Sequence, residues 1–199
     1  MTVSVLARGL KDIERYFEQL PEVAEKSIVL AINDVSSKKG MTLIRKTMRA
    51  QISFPKGYLE KGRLAVFRKA YKGRPEATIR GRDRATSLAR FALPGQAPGQ
   101  KRKFGTRVQV QPGAVRNMKR SFLIKLKNNN VGLAMRFPAG QAPEKSQAAV
   151  PLGTSGLWLF YGPSVEQVFR DVAEEVKPAI GDMIEAEFYR QFARMARYG

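Results

Sequence analysis

Histidine and cysteine are both absent from the 199 residues, and tryptophan occurs once. Without imidazole or thiolate, the catalytic dyads and triads built on those groups are excluded, together with nearly every transition-metal site that uses nitrogen or sulfur ligands. No disulfide can form. No apolar run approaches the roughly 18 residues of a membrane span, and the N-terminus lacks the charged-then-apolar layout of a secretion signal. A chain that is cytoplasmic when synthesised, with no membrane partner, is therefore expected. Acid is scarce as well: 17 Asp and Glu stand against 36 Lys and Arg, a formal net charge of +19. That excess goes far beyond what solubility requires and implies a polyanion or an acidic protein surface as partner. The remaining composition, 43% hydrophobic and 27% charged, is that of a globular protein.

The charge is unevenly placed. Residues 1–50 hold nine basic and six acidic side chains, residues 51–130 hold twenty and three, and residues 131–199 hold seven and eight. Near-neutral ends around a basic middle mean that one surface meets the polyanion, with the outer thirds as scaffold.

Apolar spacing assigns the ends to helices. Val5, Leu6, Leu10, Ile13, Tyr16, Phe17 and Leu20 recur every three or four residues and predict a first helix ending at Pro21. A second helical stretch runs from Glu22 to about Met48, weakened around Ser36, Ser37 and Gly40, where a kink is expected. Ser164 and Gln167 form a capping box ahead of an apolar face extending from Val165 to Met195, with Pro178 and Gly181 predicting a kinked helix or two collinear ones. Between the ends, Arg63–Ala70 and Glu76–Arg82 read as paired strands, and Thr106–Gln111 alternates strictly. Asn128-Asn129-Asn130 predicts a hairpin joining Ser121–Lys127 to Val131–Phe137. Two Pro- and Gly-rich loops, 93–103 and 137–145, read as arms that order on a neighbour or as disordered connections. The expectation is an α+β fold in a single domain over 1–199. It comprises N-terminal helices (1–50), a basic β-rich core with two extended loops (51–160) and a C-terminal helix (163–198), the helices packing on a central, mainly antiparallel sheet.

The candidate chemistry is cationic. Arg80, Arg82 and Arg84 alternate; Lys101, Arg102, Lys103 and Arg107 follow, then Arg116, Lys119, Arg120, Lys125 and Lys127. On strands, alternate cations share a face, an arrangement that contacts phosphates without reading bases; the competing reading of any one pair is a solvated sheet face. A groove-reading helix is not present in the pattern, and a zinc finger is impossible. An RNA-binding sheet would need exposed aromatics among the cations, for which Phe67, Tyr71, Phe104 and Phe122 are the candidates, although core packing explains Phe67 and Phe122 equally well. A magnesium-dependent nuclease would have to use Glu60, Glu76 and Asp83, which have no motif spacing and more readily neutralise neighbouring arginines. No phosphate-binding glycine loop occurs. No catalytic residue, metal ligand or cofactor site is assigned, and the chain is not read as an enzyme. Trp158 and Tyr161, in the aromatic stretch before the last helix, serve either core packing or a subunit interface.

The order of features resembles the phage minor tail protein Z family, whose members are also described as tail completion proteins. The likeness rests on Leu30-Ala-Ile-Asn-Asp-Val with Thr42 and Arg45, on Ile79-Arg-Gly-Arg leading to Phe91-Ala92, and on Val108-Gln-Val-Gln-Pro-Gly. It continues with Ser121-Phe122, Met135-Arg136 and, most specifically, Tyr161-Gly-Pro-Ser-Val. Leu157-Trp-Leu-Phe stands where the family tends to have Leu-Pro-Ile. The resemblance implies a non-enzymatic virion protein at the head-proximal end of the tail, acting in tail maturation or head-to-tail joining. Its implied partners are the tail terminator, tail tube and head-completion proteins. By analogy with other tail rings it implies a homo-oligomeric ring, six copies being favoured, with non-specific DNA contact. The alternative from another class is a free, non-specific nucleic-acid-binding protein.

Overall fold

A computed structural model describes residues 3–6, 18, 20–60, 62–100, 103–145 and 147–197. The chain clusters into two compact units. The first contains 1–48, 59–82 and 166–199; the second contains 49–58 and 83–165. By composition the first is helical and the second is built from strands, and they are called the helical unit and the sheet unit below.

In the helical unit, Pro21 opens helix α1 (Pro21–Ser37), where its missing N–H costs nothing. Ala24, Ile28, Ala31, Ile32 and Val35 recur at helical spacing and are buried. Lys38 breaks the helix (φ −118°, ψ −97°), and α2 (Lys39–Gln51) begins at once, so the expected kink is a full interruption. Gly40 is required there, because a Cβ would lie 2.8 Å from the Val35 carbonyl oxygen. Met41, Ile44 and Met48 carry the buried stripe onward.

Strands β2 (Leu64–Arg68) and β3 (Glu76–Gly81) pair antiparallel as expected, with a register shift between Val66 and Arg68. One expectation is corrected. Val5 and Leu6 are not helical, because Val3–Leu6 forms strand β1, antiparallel to β3 on the side away from β2. A four-residue apolar run fits either periodicity, and the free edge of β3 decides by offering backbone partners that no local pattern reveals. Leu10, Ile13, Tyr16 and Phe17 lie outside the described residues.

The last helix, α3 (Val165–Ala196), is continuous through Pro178. Pro178 is exposed, so the carbonyl it leaves without an intrahelical donor faces water. Its buried side, from Val168 through Ile180 and Ile184 to Phe188, completes the core. Ile32, Ile44, Ala77, Ile79, Ile180 and Ile184 meet around a gap of only about 10 Å³, close packing in which each fully buried aliphatic side chain contributes about 1.5–3 kcal/mol.

The sheet unit is entered from β3 and left at α3. Glu166, which is buried, accepts a hydrogen bond from the Gly81 N–H (2.7 Å) and donates its own N–H to the Arg82 carbonyl (3.2 Å). The points at which the chain leaves and rejoins the helical unit are thus bonded to each other. The strands of the sheet unit are β4 (Thr86–Ser87), β5 (Thr106–Gln111), β6 (Ala114–Met118), β7 (Ser121–Lys125), β8 (Val131–Arg136), β9 (Ala149–Pro151) and β10 (Leu157–Gly162). Five of them form a sheet ordered β4-β10-β8-β7 with β9 also on β10, while β5 and β6 make a separate ribbon. The fold is α+β with antiparallel pairing, as expected, and among the described residues its strands divide among three sheets. The asparagine hairpin is present. Residues β7 and β8 pair from Ser121↔Met135 to Lys125↔Val131, and Asn129 takes the left-handed conformation (φ 59°) that asparagine tolerates. Segment 49–58 anchors on β5 through the Ser53 N–H, which donates to the Val110 carbonyl (2.7 Å). Its Phe54 stacks on Tyr58 (5.7 Å) and contacts Phe91 (5.9 Å).

Candidate functional site

The sheet unit contains fifteen Lys and Arg but two acids, Asp83 and Glu144; the helical unit has twenty-one against fifteen. The fold explains where these cations sit. Gly132, Leu133 and Ala134 of β8 are consecutive and all buried, as are Leu159 and Phe160 of β10. Both faces at the middle of the five-stranded sheet are covered, so period-two alternation cannot present a row of cations there. In that sheet the charge goes instead to strand ends, turns and loops, and among the unit's described residues only the β5–β6 ribbon carries cations within strands, Arg107 and Arg116.

The residues singled out in the sequence are accordingly dispersed into groups. Arg80 is the exposed cation of β3, Arg82 follows the strand, and both belong to the helical unit; Arg84 is an exposed residue of the sheet unit. The three therefore do not make one strand's face. Lys101 and Arg102 lie outside the described residues. Arg107 and Arg116 are the members on the β5–β6 ribbon, Arg116 opposite Val108. Lys125 ends β7 and Lys127 lies in the following turn, so they do not alternate on a strand.

Two groupings result. At one, Gly105 and Met118 bring Lys103 and Phe104 alongside Lys119 and Arg120. A Cβ on Gly105 would lie 2.1 Å from the Met118 carbonyl oxygen and 3.1 Å from the Lys119 Cα, so this approach needs glycine, which also has φ +78°. Buried Ser121 fixes the corner by donating to the Met118 carbonyl (2.7 Å) and accepting from the Thr106 N–H (3.1 Å). Arg120 adopts φ 62° in the turn, and Lys103 lies 5.6 Å from the Phe104 ring centroid. At the other grouping, Arg90 donates to the Asn130 side chain (3.4 Å), joining Lys125 and Lys127 at the hairpin end. Arg90 escaped sequence reasoning because a 3₁₀ turn (Leu88–Phe91) carries no periodic signal.

Loop 93–100 is not a free arm. The Gln96 carboxamide donates to the Arg107 carbonyl (2.7 Å) and accepts from its N–H (2.9 Å), in the manner of a strand partner. The Gly99 N–H donates to the Leu123 carbonyl (3.3 Å) on the outer edge of β7. A groove of about 730 Å³ follows that edge, lined by Pro98, Gln100, Arg120, Phe122, Ile124 and Lys125 among others, none acidic.

The aromatic candidates separate. Phe67 is 58% exposed, Tyr71 55% and Phe104 69%, so Phe67 is not a core residue; its place at the register shift turns it outward. Phe122 is half-buried, as are Trp158 and Tyr161 on β10, opposite Met135 and Ser87 respectively. Among the described residues no three carboxylates converge as metal ligands, and Glu76 instead pairs with Arg74 (3.4 Å). Among them, too, no helix is long and apolar enough to cross a membrane. Comparison with protein-family models, curated proteins and solved structures returned no match.

Proposed function

We propose that this chain is a virion structural protein, a minor tail or tail completion protein at the head-proximal end of a phage tail. It acts there as a ring subunit in tail maturation and head-to-tail joining. The observation that carries this reading is the segregation of charge in the folded chain: a sheet unit with fifteen cations and two acids, its described basic groups set mostly on turns, loops and element ends and, at Arg107 and Arg116, on the β5–β6 ribbon. Such a surface meets a phosphate backbone at many weak, sequence-independent points. A subunit beside a DNA passage needs that property, since it must neutralise the polymer without holding a base. The order of residues from Leu30 to Val165 that resembles the tail completion family supports the same reading. Arg84, Lys103, Arg107, Lys119, Arg120, Lys125 and Lys127 are the residues proposed to face DNA. Trp158 and Tyr161 are proposed to contribute to contacts with neighbouring subunits.

Quantitative mass spectrometry of purified particles from a host carrying the gene tests this. The chain is expected in a small fixed number against the portal subunits, six for a single ring. Absence from particles would overturn the proposal and favour the second reading, a free nucleic-acid-binding protein, which the exposed aromatics beside cations also favour.

A further inference from the structure

The strand and turn that follow α2 carry a feature that phosphate neutralisation leaves unused. Segment 67–74 reads Phe-Arg-Lys-Ala-Tyr-Lys-Gly-Arg, two aromatics and four cations in eight residues. Both aromatics are more than half exposed, and leaving a ring of this size in water forgoes about 1.5–3 kcal/mol of burial. Neither ring is outward through looseness of the backbone. Asn33 of α1 donates to the Ala70 carbonyl and accepts from the Ala70 N–H, each at 2.9 Å. Glu25 of α1 accepts from the Gly73 N–H at 2.6 Å. Tyr71 and Arg74 exchange backbone hydrogen bonds at 3.1 and 2.9 Å around Lys72-Gly73, where Gly73 has φ +79°. The segment is held to the helix by its polar backbone while its rings face solvent.

Phe67 is placed further. It occupies the irregular position between Val66 and Arg68, where β2 and β3 lose register. That bulge sets the ring beside the exposed Arg80, whose guanidinium carbon lies 3.7 Å from the ring centroid. A planar cation stacked on an exposed ring is a preformed platform for a further flat group.

We propose that Phe67 and Arg80, with Tyr71 and the exposed Arg68 and Lys69, form a binding site for single-stranded nucleic acid. An unpaired base stacks on the Phe67–Arg80 pair, and Arg68 and Lys69 contact the adjoining phosphates. Unpaired bases have free faces, whereas those of a duplex are already stacked on one another, so the site selects single strands and frayed ends. Protein–protein interface cores are depleted of lysine, whereas Lys69 and Lys72 flank these rings. The site lies in the helical unit and does not depend on the tail reading.

Fluorescence anisotropy of the full chain with labelled dT20 and rU20 single strands, and with a 20-base-pair duplex at matched ionic strength, tests the proposal. Phe67→Ala is expected to weaken single-strand binding about five- to a hundredfold, the range for loss of a stacked base, at every salt concentration and with the salt slope unchanged. Duplex and heparin binding should be retained. Lys69→Ala is expected to lower the single-strand salt slope by roughly 0.7. Phe67→Trp should restore affinity and add a fluorescence signal quenched by the single strand, which rules out a folding defect as the cause. Equal single-strand affinity in wild type and Phe67→Ala would overturn the proposal. So would a Phe67→Ala loss shared equally by duplex and heparin, or one confined to association with a protein partner.

Discussion

The two units solve the same problem of charge in opposite ways. In the helical unit fifteen acids stand against twenty-one bases and part of the charge is paired locally: Lys38 with Asp34 at the end of α1, and Lys177 with Glu174 and Arg190 with Glu187 on α3, are three or four residues apart. Lys72 with Glu25 and Arg74 with Glu76 belong to the same unit. Helical geometry makes such pairs available at every turn. The sheet unit has two acids for fifteen cations, and its strands spend their alternation on burial. Apart from Arg107 and Arg116 on the exposed β5–β6 ribbon, its described cations are left mostly at turns, loops and element ends, where mutual repulsion is weakened by solvent and where an external polyanion can reach them. The helical unit answers part of its charge with pairs of its own, whereas the sheet unit carries an excess of thirteen cations over acids.

The sharpest way to break that comparison is to ask whether the units fold separately. Each has its own buried core, so Phe188→Ala, at a fully buried position of α3, is expected to cost about 3–5 kcal/mol. The loss should fall on one calorimetric transition. Leu133→Ala, equally buried in β8, should cost about 2–5 kcal/mol on another. A single transition shifted alike by both would erase the distinction.

Charge reversal probes the functional side. Lys119→Glu, Arg120→Glu, Lys125→Glu and Lys127→Glu together should weaken duplex DNA binding roughly a hundredfold and lower the salt slope by about 3.6. Reversal of Arg170 and Lys177 on α3 should change it little. Equal losses would mean that net charge alone, not its placement, governs binding.

A smaller effect is expected at the corner that assembles the first cation group. Gly105→Ala combines φ +78° with a Cβ 2.1 Å from a carbonyl oxygen, and should cost at least about 1–3 kcal/mol. It should also reduce the heparin affinity of the sheet unit, read by column elution.

The smallest effect separates the paired helix from the unpaired sheet by pH. Glu187 is held below the usual carboxylate range by its hydrogen bond from Arg190, opposed by burial and aided by Gln191. A lowered folded-state value means that the pair stabilises the protein above the normal carboxylate range and is lost as pH falls through the folded value. Glu187→Gln should therefore flatten the acid limb of the stability profile slightly while leaving DNA affinity unchanged; an unaltered limb would remove the pair from the account.

Much of the fold was legible because its signals are local. The stripe from Ile28 to Val35, the weak point around Ser36, Ser37 and Gly40, the β2–β3 pair and the asparagine hairpin each rest on neighbours a few residues away. The site was less legible. Lys125 and Lys127 looked like alternate members of a strand face, yet the strand stops at Lys125. Phe67 read equally well as core, and the register shift that turns it outward is a property of two strands, not one.

The amino-acid sequence by itself determined the composition of the chemistry, no imidazole, no thiol and a cationic middle, and the helical character of 22–48 and of the segment from Val165 onward. Tertiary structure decided that Val3–Leu6 would be a strand, that the sheet faces would be apolar and the charge peripheral, and that one arginine would stack on one exposed ring. The reason is physical: a helix closes its hydrogen bonds within four residues, so its pattern is written locally. A strand closes its bonds with a partner distant in sequence, so its faces, edges and bulges exist only once that partner is in place.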